Sequence, residues 1–188
     1  MPSTASNRSV PWVPGAVAGA VAFLLEYLAV YFWQAGNVRR QLRGINAIIQ
    51  LLGGTPVPAW AGVGWLFYDA HFVAFTYPAI GGSRTALDLI ANGNAPTLLY
   101  LVPVVGLLLA GFAVGRYAGT TDRSRGAVAG ASVAVGYAVL TWIGLFAFRV
   151  TGGGSWVGPD PVTGALLAAV LYPIVLGGIG GWVASATR

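Results

Sequence analysis

The sequence contains no cysteine and no lysine, only one histidine, and few charged residues of either sign. The absence of cysteine excludes disulfides, thiolate metal sites and a cysteine nucleophile. Because all ten basic residues are arginine, the formal net charge of +5 is permanent at physiological pH. Charged residues make up 8% of the 188 residues, whereas soluble domains contain roughly 25%. The chain therefore has too few charges to coat a water-facing surface.

Long apolar runs dominate what is present, with 56% hydrophobic residues and a mean hydropathy of +0.73. A helix needs about 20 residues to cross the hydrocarbon core, and the short polar loops between the runs leave no room for a soluble domain. We therefore predict a single all-α domain, a bundle of five transmembrane helices in a cell membrane. The predicted spans are residues 13–35, 58–80, 96–118, 126–150 and 162–185.

A basic amphipathic helix is predicted over residues 37–52, between the first and second spans. Apolar residues recur there at helical spacing, while Arg39, Arg40 and Arg43 fall on other faces. A helix of this type lies in the plane of the membrane interface. Its arginines either orient the chain or bind anionic lipid head groups, and the pattern leaves both interpretations open.

Arginine placement predicts an external N-terminus and an internal C-terminus. Cytoplasmic loops carry an excess of basic residues, and five spans put seven arginines inside and three outside. The inside set is Arg39, Arg40, Arg43, Arg116, Arg123, Arg125 and Arg188, and the outside set is Arg8, Arg84 and Arg149. If the second run lay on the surface instead, the split would be five to five. The external tail also carries a glycosylation sequon at Asn7, a triplet that is common by chance.

Three ionisable residues lie inside the predicted spans, where a charge is costly and is therefore a functional clue. Glu26 lies in the first span, and Asp69 and His71 lie in the second. A rise of 1.5 Å per residue places the two carboxyl groups within about 3 Å of each other in depth. The simplest arrangement turns Asp69 toward Glu26 and His71 toward another helix, although the sequence does not fix this choice. If the two carboxyl groups face each other, they share a proton or hold a cation. The alternative is a neutral structural role, with each group hydrogen-bonded to a tyrosine or a backbone carbonyl.

Two prolines lie inside predicted spans, Pro103 in the third and Pro173 in the fifth. Each removes an N–H and displaces the carbonyl four residues earlier. Transporters use such broken helices to expose backbone groups to a substrate. Proline kinks also occur in inert bundles, so these positions are candidate helix breaks only.

The sequence offers few side chains that could act as catalytic nucleophiles or bases, and it does not predict an enzyme. It has no zinc-protease motif and no second histidine, and Ser83 in the predicted outside loop lacks a histidine at matching depth to act as its base. Three candidate ligands of mixed type on separate helices are weak evidence for a metal site. No metal and no cofactor are therefore predicted. The arginines lie at the ends of apolar runs, which favours lipid rather than nucleic acid as their partner.

The run Gly64–Val73, followed by Gly81-Gly82-Ser83-Arg84, resembles uncharacterised multi-pass membrane proteins of halophilic archaea. Some of those proteins carry the label "transporter". The resemblance covers most of the chain and implies a multi-pass membrane fold. It supplies no functional residues that could be transferred to this sequence.

Two functional hypotheses follow. The first is an ion- or proton-coupled transport component that acts as a homo-oligomer, because five short spans enclose little cavity alone. The second is a non-catalytic accessory or scaffold subunit of a larger membrane complex, docked through faces of glycine four residues apart, since small residues let helices approach closely in lipid. Substrate, direction of transport and partner identity do not follow from the sequence.

Overall fold

The computed structural model describes residues 10–51, 54–79, 82–152 and 154–187. The described chain is mostly helical, with seven α-helices, a 3₁₀ turn at Thr97–Tyr100, a π-helix at Gly164–Leu171 and four short strands. The helices are α1 (Trp12–Leu51), α2 (Ala59–Asp69), α3 (Leu101–Ala118), α4 (Arg123–Ala131), α5 (Ala134–Ala147), α6 (Pro161–Thr163) and α7 (Tyr172–Ala186). The strands are β1 (Phe75–Pro78), β2 (Arg84–Leu87), β3 (Val150–Gly152) and β4 (Ser155–Pro159).

Within the described ranges, four continuous helical segments are long and apolar enough to cross a membrane. They are Trp12–Leu51, Thr97–Ala118, Arg123–Ala147 and Pro161–Ala186. Four of the five predicted spans therefore correspond to helices of membrane length. Their outward faces carry exposed aliphatic and aromatic side chains, such as Leu25 at 60% and Leu109 at 63% exposure, as expected for a surface that contacts hydrocarbon.

The prediction of a continuous helical span over residues 58–80 was wrong. Helix α2 has only 11 residues and rises about 16 Å, too little to cross a bilayer. The chain turns at Ala70, and Phe72 adopts a left-handed φ of 59° before β1 begins at Phe75. Aromatic and β-branched residues favour strands, and the residue before Pro78 is restricted to extended backbone. The segment is apolar, as its hydropathy indicates, but residues 75–78 prefer extended backbone to helix.

A small antiparallel sheet makes the all-α prediction incomplete. Its strand order is β2-β1-β4-β3, and Thr76 of β1 pairs with both Ala86 of β2 and Gly158 of β4. The sheet lies at one end of the bundle, where it connects the segment after α2 to the α5–α6 connection. The sheet provides hydrogen-bond partners for the backbone N–H and C=O groups of these connecting segments. Hydropathy alone does not distinguish such segments from membrane spans.

Helix α1 is continuous over 40 residues, so the first span and the predicted interfacial helix are one element. The predicted change of direction near residue 36 was wrong, because no proline lies between Pro14 and Pro56 and an isolated glycine is tolerated inside a helix. The second half of α1 is held by hydrogen bonds to the segments that follow it: Asn46 exchanges two with Val57, and the Gln41 side chain donates one to the Asn94 carbonyl. Arg39, Arg40 and Arg43 are exposed.

Glycines bring the helices α3, α4 and α7 into backbone contact. A Cβ atom on Gly111 would overlap the Gly177 backbone, and one on Gly130 would overlap the backbones of Gly177 and Gly181. Small residues let helices approach this closely, which increases van der Waals packing where lipid offers no hydrophobic driving force. The glycine stripes predicted from spacing therefore pack inside the bundle.

Helices α1 and α5 form a second close pair. Gly19 lies against the Val133 backbone, and Gly136 lies against the Ala16 backbone. Farther along, the rings of Phe23 and Tyr137 meet edge to face at 5.3 Å. Contacts that advance together along both helices show that α1 and α5 run in the same direction, which sets the register of the polar residues described next.

Replacement of Gly136 by alanine tests this packing. The new Cβ would overlap the Ala16 carbonyl, a backbone atom that cannot rotate away, so we expect a loss of about 1–3 kcal/mol of unfolding free energy. Gly44→Ala is the matched control, since no atom lies within 4 Å of its Cβ position and alanine is the better helix former by about 1 kcal/mol. Unfolding in detergent measures both. Equal effects of the two changes would contradict the contact.

Candidate functional site

A chain of buried polar side chains crosses the centre of the bundle and joins Glu26, Tyr137 and His71. Glu26 of α1 is 4% exposed, while Tyr137 of α5 and His71 after α2 are fully buried. Buried polar groups are costly unless they are hydrogen-bonded. The three residues satisfy most of one another's requirements and form the candidate site.

The hydrogen bonds of this cluster are short and share one hydroxyl. The Tyr137 hydroxyl lies 2.6 Å from Glu26 Oε2 and 2.6 Å from His71 Nε2. His71 Nδ1 lies 2.8 Å from the Phe67 carbonyl oxygen. A carbonyl only accepts, so Nδ1 carries a proton.

Counting protons leaves two assignments that satisfy all three bonds. In the first, His71 is neutral and accepts from Tyr137 at Nε2, so Glu26 is a carboxylic acid that donates to the tyrosine oxygen. In the second, His71 is an imidazolium that donates to Tyr137, and the tyrosine donates to a Glu26 carboxylate. Both forms contain the same number of protons and have no net charge. They interconvert by moving two protons along the chain of bonds.

The cluster lies near mid-length of two of the membrane-length segments, Thr97–Ala118 and Arg123–Ala147, and about a third of the way along α1. Glu26 lies 14 residues after Trp12, and Tyr137 lies 10 residues before Ala147, which correspond to roughly 21 Å and 15 Å of helix. On the neighbouring helix, Gly106 faces Glu26 and lies 9 residues after Thr97. Glu26, Tyr137 and Gly106 therefore each lie well inside a helical segment rather than at its end.

Local backbone geometry places His71 in this layer. Helix α2 packs eight consecutive residues, from Ala61 to Tyr68, inside the bundle and ends at Asp69. The following turn directs the imidazole toward α5, with a backbone bond from Val73 to the Tyr68 carbonyl. The left-handed residue Phe72 faces outward and stacks on Tyr100, with ring centroids 4.5 Å apart.

Aromatic rings enclose the polar chain. Phe67 meets both Phe23 and His71 edge to face at 4.9 Å, and Tyr172 lies 5.3 Å from the imidazole. Such rings exclude water from the imidazole side of the cluster. Hydrogen bonds and charges in this layer therefore act in a medium of low dielectric constant.

Asp69 does not join Glu26, which corrects the predicted carboxylate pair. Its Oδ2 accepts a 2.7 Å hydrogen bond from the Ile90 N–H, and its side chain lies in the loop region that contains Asp88. The prediction placed Asp69 toward Glu26 and turned His71 away, and the structure does the reverse. The two side chains do point apart as expected, but the face of α2 that carries Tyr68 is the one that packs against α5, so His71 follows it and Asp69 points away toward the loop.

The two predicted helix-break prolines differ. Pro103 is buried in the first turn of α3, directly after the 3₁₀ turn, where a missing N–H costs little. Pro173 follows the π-helix Gly164–Leu171, so the helix from Pro161 to Ala186 does change its hydrogen-bonding pattern next to the proline. Neither proline is part of the Glu26 cluster. Among the residues that the structure describes, no group of three histidine or acidic side chains could hold a metal ion.

An apolar groove between α1 and α3 reaches the other face of Glu26. Its volume is about 700 Å³, and its walls include Val21, Leu25 and Trp33 of α1 and Leu101, Val105 and Leu109 of α3. Glu26 Oε1 is buried and lacks a hydrogen-bond partner, while the Glu26 carboxyl packs against Gly106. The carboxyl group therefore has one oxygen in the proton chain and one at the base of the groove.

Comparison with known proteins places the chain in a family. A model described as a family of unknown function (DUF7978) matches residues 1–188. The chain belongs to this family. No curated protein and no solved structure matched it. The family description carries no activity, so function has to be argued from the geometry.

Tyr137 is the residue that the sequence reasoning missed. A tyrosine inside an apolar span needs a partner for its hydroxyl, and this requirement was the available signal. Its hydroxyl bridges the two ionisable groups that the sequence did single out, Glu26 and His71. A search for charged residues alone could not find it.

Tyr137→Phe tests the bridging role. The change leaves one atom of Glu26 and one of His71 buried without a partner, so we expect a loss of about 1–3 kcal/mol of unfolding free energy. Tyr117→Phe is the matched control, because Tyr117 is 71% exposed and should change stability by less than about 0.5 kcal/mol. Nitrogen-15 NMR of the imidazole provides the second readout. An unchanged His71 spectrum in Tyr137→Phe would contradict the shared hydroxyl.

Proposed function

We propose that the chain is a multi-pass membrane protein that acts as an ion- or proton-coupled transport component. The observation that carries the proposal is the buried chain from Glu26 through Tyr137 to His71, whose first two members lie well inside helices of membrane length. Ionisable groups at that depth are costly, and proton relays are a principal reason to keep them. The two uncharged proton assignments give the chain a means of moving protons between α1 and the end of α2 without building up net charge.

The proposed membrane arrangement differs from the one predicted by arginine counting. Four crossings place both termini on the same side of the membrane, and the arginine split becomes five to five. Helix α2 then enters from the opposite side as a re-entrant helix, reaches the Glu26 layer and returns as β1. Non-helical backbone at membrane depth is tolerated where protein covers it, and residues 70, 71 and 73 are fully buried.

Lipid and other membrane proteins are the expected partners. The exposed arginines Arg39, Arg40 and Arg43 suit contact with anionic head groups at the membrane surface. The outward apolar faces of the bundle suit either lipid or a second copy in a homo-oligomer. The scaffold alternative depended on glycine faces that dock a partner, and the transport proposal is better supported because those glycines pack within the bundle.

Proton flux into liposomes tests the function. We expect a pH gradient to drive flux through the wild-type protein, and Glu26→Gln, Tyr137→Phe and His71→Asn each to reduce it at least tenfold, because every member of the chain carries the proton. Asp69→Asn and Asp160→Asn are controls, since neither carboxylate belongs to the chain. The proposal fails if wild-type liposomes conduct no protons, or if flux is indifferent to all three substitutions.

Reporter fusions test the membrane arrangement. Reporters before residue 10, at Asp122 and after Arg188 should give the same signal, and one at Asn92 should give the opposite signal, because the four helices alternate in direction. Fusions in intact cells measure this directly. Opposite signals from the two termini would instead support five crossings.

A further inference from the structure

We propose that the groove between α1 and α3 binds a lipophilic ammonium ion, which exchanges for a proton on Glu26. This inference rests on the proposed proton chain and names the substrate class of the same site. Its primary observation is geometric: Glu26 Oε1 lies buried and unpartnered at the base of a groove whose other lining side chains are apolar.

The groove defines the shape of the ligand. Its walls combine exposed apolar side chains from two helices that would face lipid, so a ligand enters from the hydrocarbon rather than from water. Leu25, Val105 and Leu109 suit an alkyl or aryl group, and a volume of about 700 Å³ holds a molecule of drug size. A lipid acyl chain would fill the walls but would leave Oε1 without a partner.

Charge defines the head group. Oε1 only accepts hydrogen bonds when Oε2 takes part in the proton chain, so the ligand must donate. In a dry layer the strongest donor for a carboxylate is a cation, because a charge-assisted hydrogen bond is about twice as strong as a neutral one. None of the groove residues is basic. An ammonium nitrogen would therefore be the only positive charge facing Glu26 from the groove.

Electroneutrality links binding to proton release. Two titratable groups lie in the chain with Glu26: Tyr137 of α5 and His71 after α2. Tyr68 lies near Tyr137, and Tyr172 packs against His71. Helix α3 faces Glu26 with Gly106, which has no titratable group. When the ammonium binds, the Glu26 O–H bond breaks, the carboxylate keeps the electron pair and one proton leaves to water. Both neighbours of the Tyr137 hydroxyl, the Glu26 carboxylate and His71 Nε2, are then acceptors, and the hydroxyl can donate its one proton to only one of them. One lost hydrogen bond costs less than an uncompensated positive charge at mid-depth, so exchange is favoured over simple addition.

The test uses the full chain in lipid nanodiscs at one copy per disc, with 4-phenylbutylammonium as the probe and 4-phenylbutanol as its neutral match. Titration calorimetry in buffers of different ionisation enthalpy should show cation binding with release of one proton at neutral pH. The alcohol should bind about tenfold more weakly or worse, as expected for the loss of one charge-assisted hydrogen bond. Glu26→Gln should weaken cation binding by at least the same factor.

A matched pair of variants tests the groove independently of Glu26. Val105→Phe fills the groove, whereas Val139→Phe adds the same ring on α5 outside it, and the two valines are 51% and 56% exposed. Only Val105→Phe should weaken cation binding. Equal binding of cation and alcohol, or cation binding without proton release, would overturn the proposal.

The outcome is separable from the transport proposal. Cation binding with proton release in a protein that conducts no protons would support the site and refute transport. Proton flux that depends on Glu26, without cation binding, would refute the site and leave the relay standing.

Discussion

The hydroxyl of Tyr137 is the contact on which the polar interior of this bundle depends. It is shared by a carboxyl group and an imidazole that come from different elements, and it places three ionisable side chains in one layer. Without it, Glu26 and His71 would each need another partner, and the rings of Phe67 and Tyr172 that pack against the imidazole leave little polar surface beside it. The packing of α1 against α5 through glycine and the insertion of α2 both serve to bring these groups within hydrogen-bond distance.

Hydropathy predicted most of the architecture, and local backbone chemistry accounts for the errors. Four runs became helices of membrane length, because nothing within them opposes a helix strongly enough. The run from Pro58 to Ile80 was equally apolar, yet it divides into a helix, a turn and a strand, since Phe72 takes a left-handed backbone and Pro78 favours extension. Hydropathy measures where a segment prefers to lie and carries no information on its backbone shape.

The candidate site was predicted in part. Glu26 and His71 were identified by the cost of burying an ionisable group, and that argument needs only the sequence. Their connection could not be derived, because it passes through Tyr137, 66 residues after His71 and 111 after Glu26. Asp69 met the same criterion but lies against the Ile90 amide instead. A residue's depth can be counted along a helix, whereas its partner depends on where the helix ends.

The unbroken course of α1 joins two regions that the sequence suggested were separate elements. Glu26 and Arg43 are 17 residues apart on one helix, a distance of about 26 Å without a proline or a turn between them. If α1 moves as a unit, any widening of the space beside Gly106 also displaces the guanidinium groups at the far end. The buried carboxyl group of Glu26 and the exposed basic segment are therefore carried by one helix, and a shift of that helix would move both together.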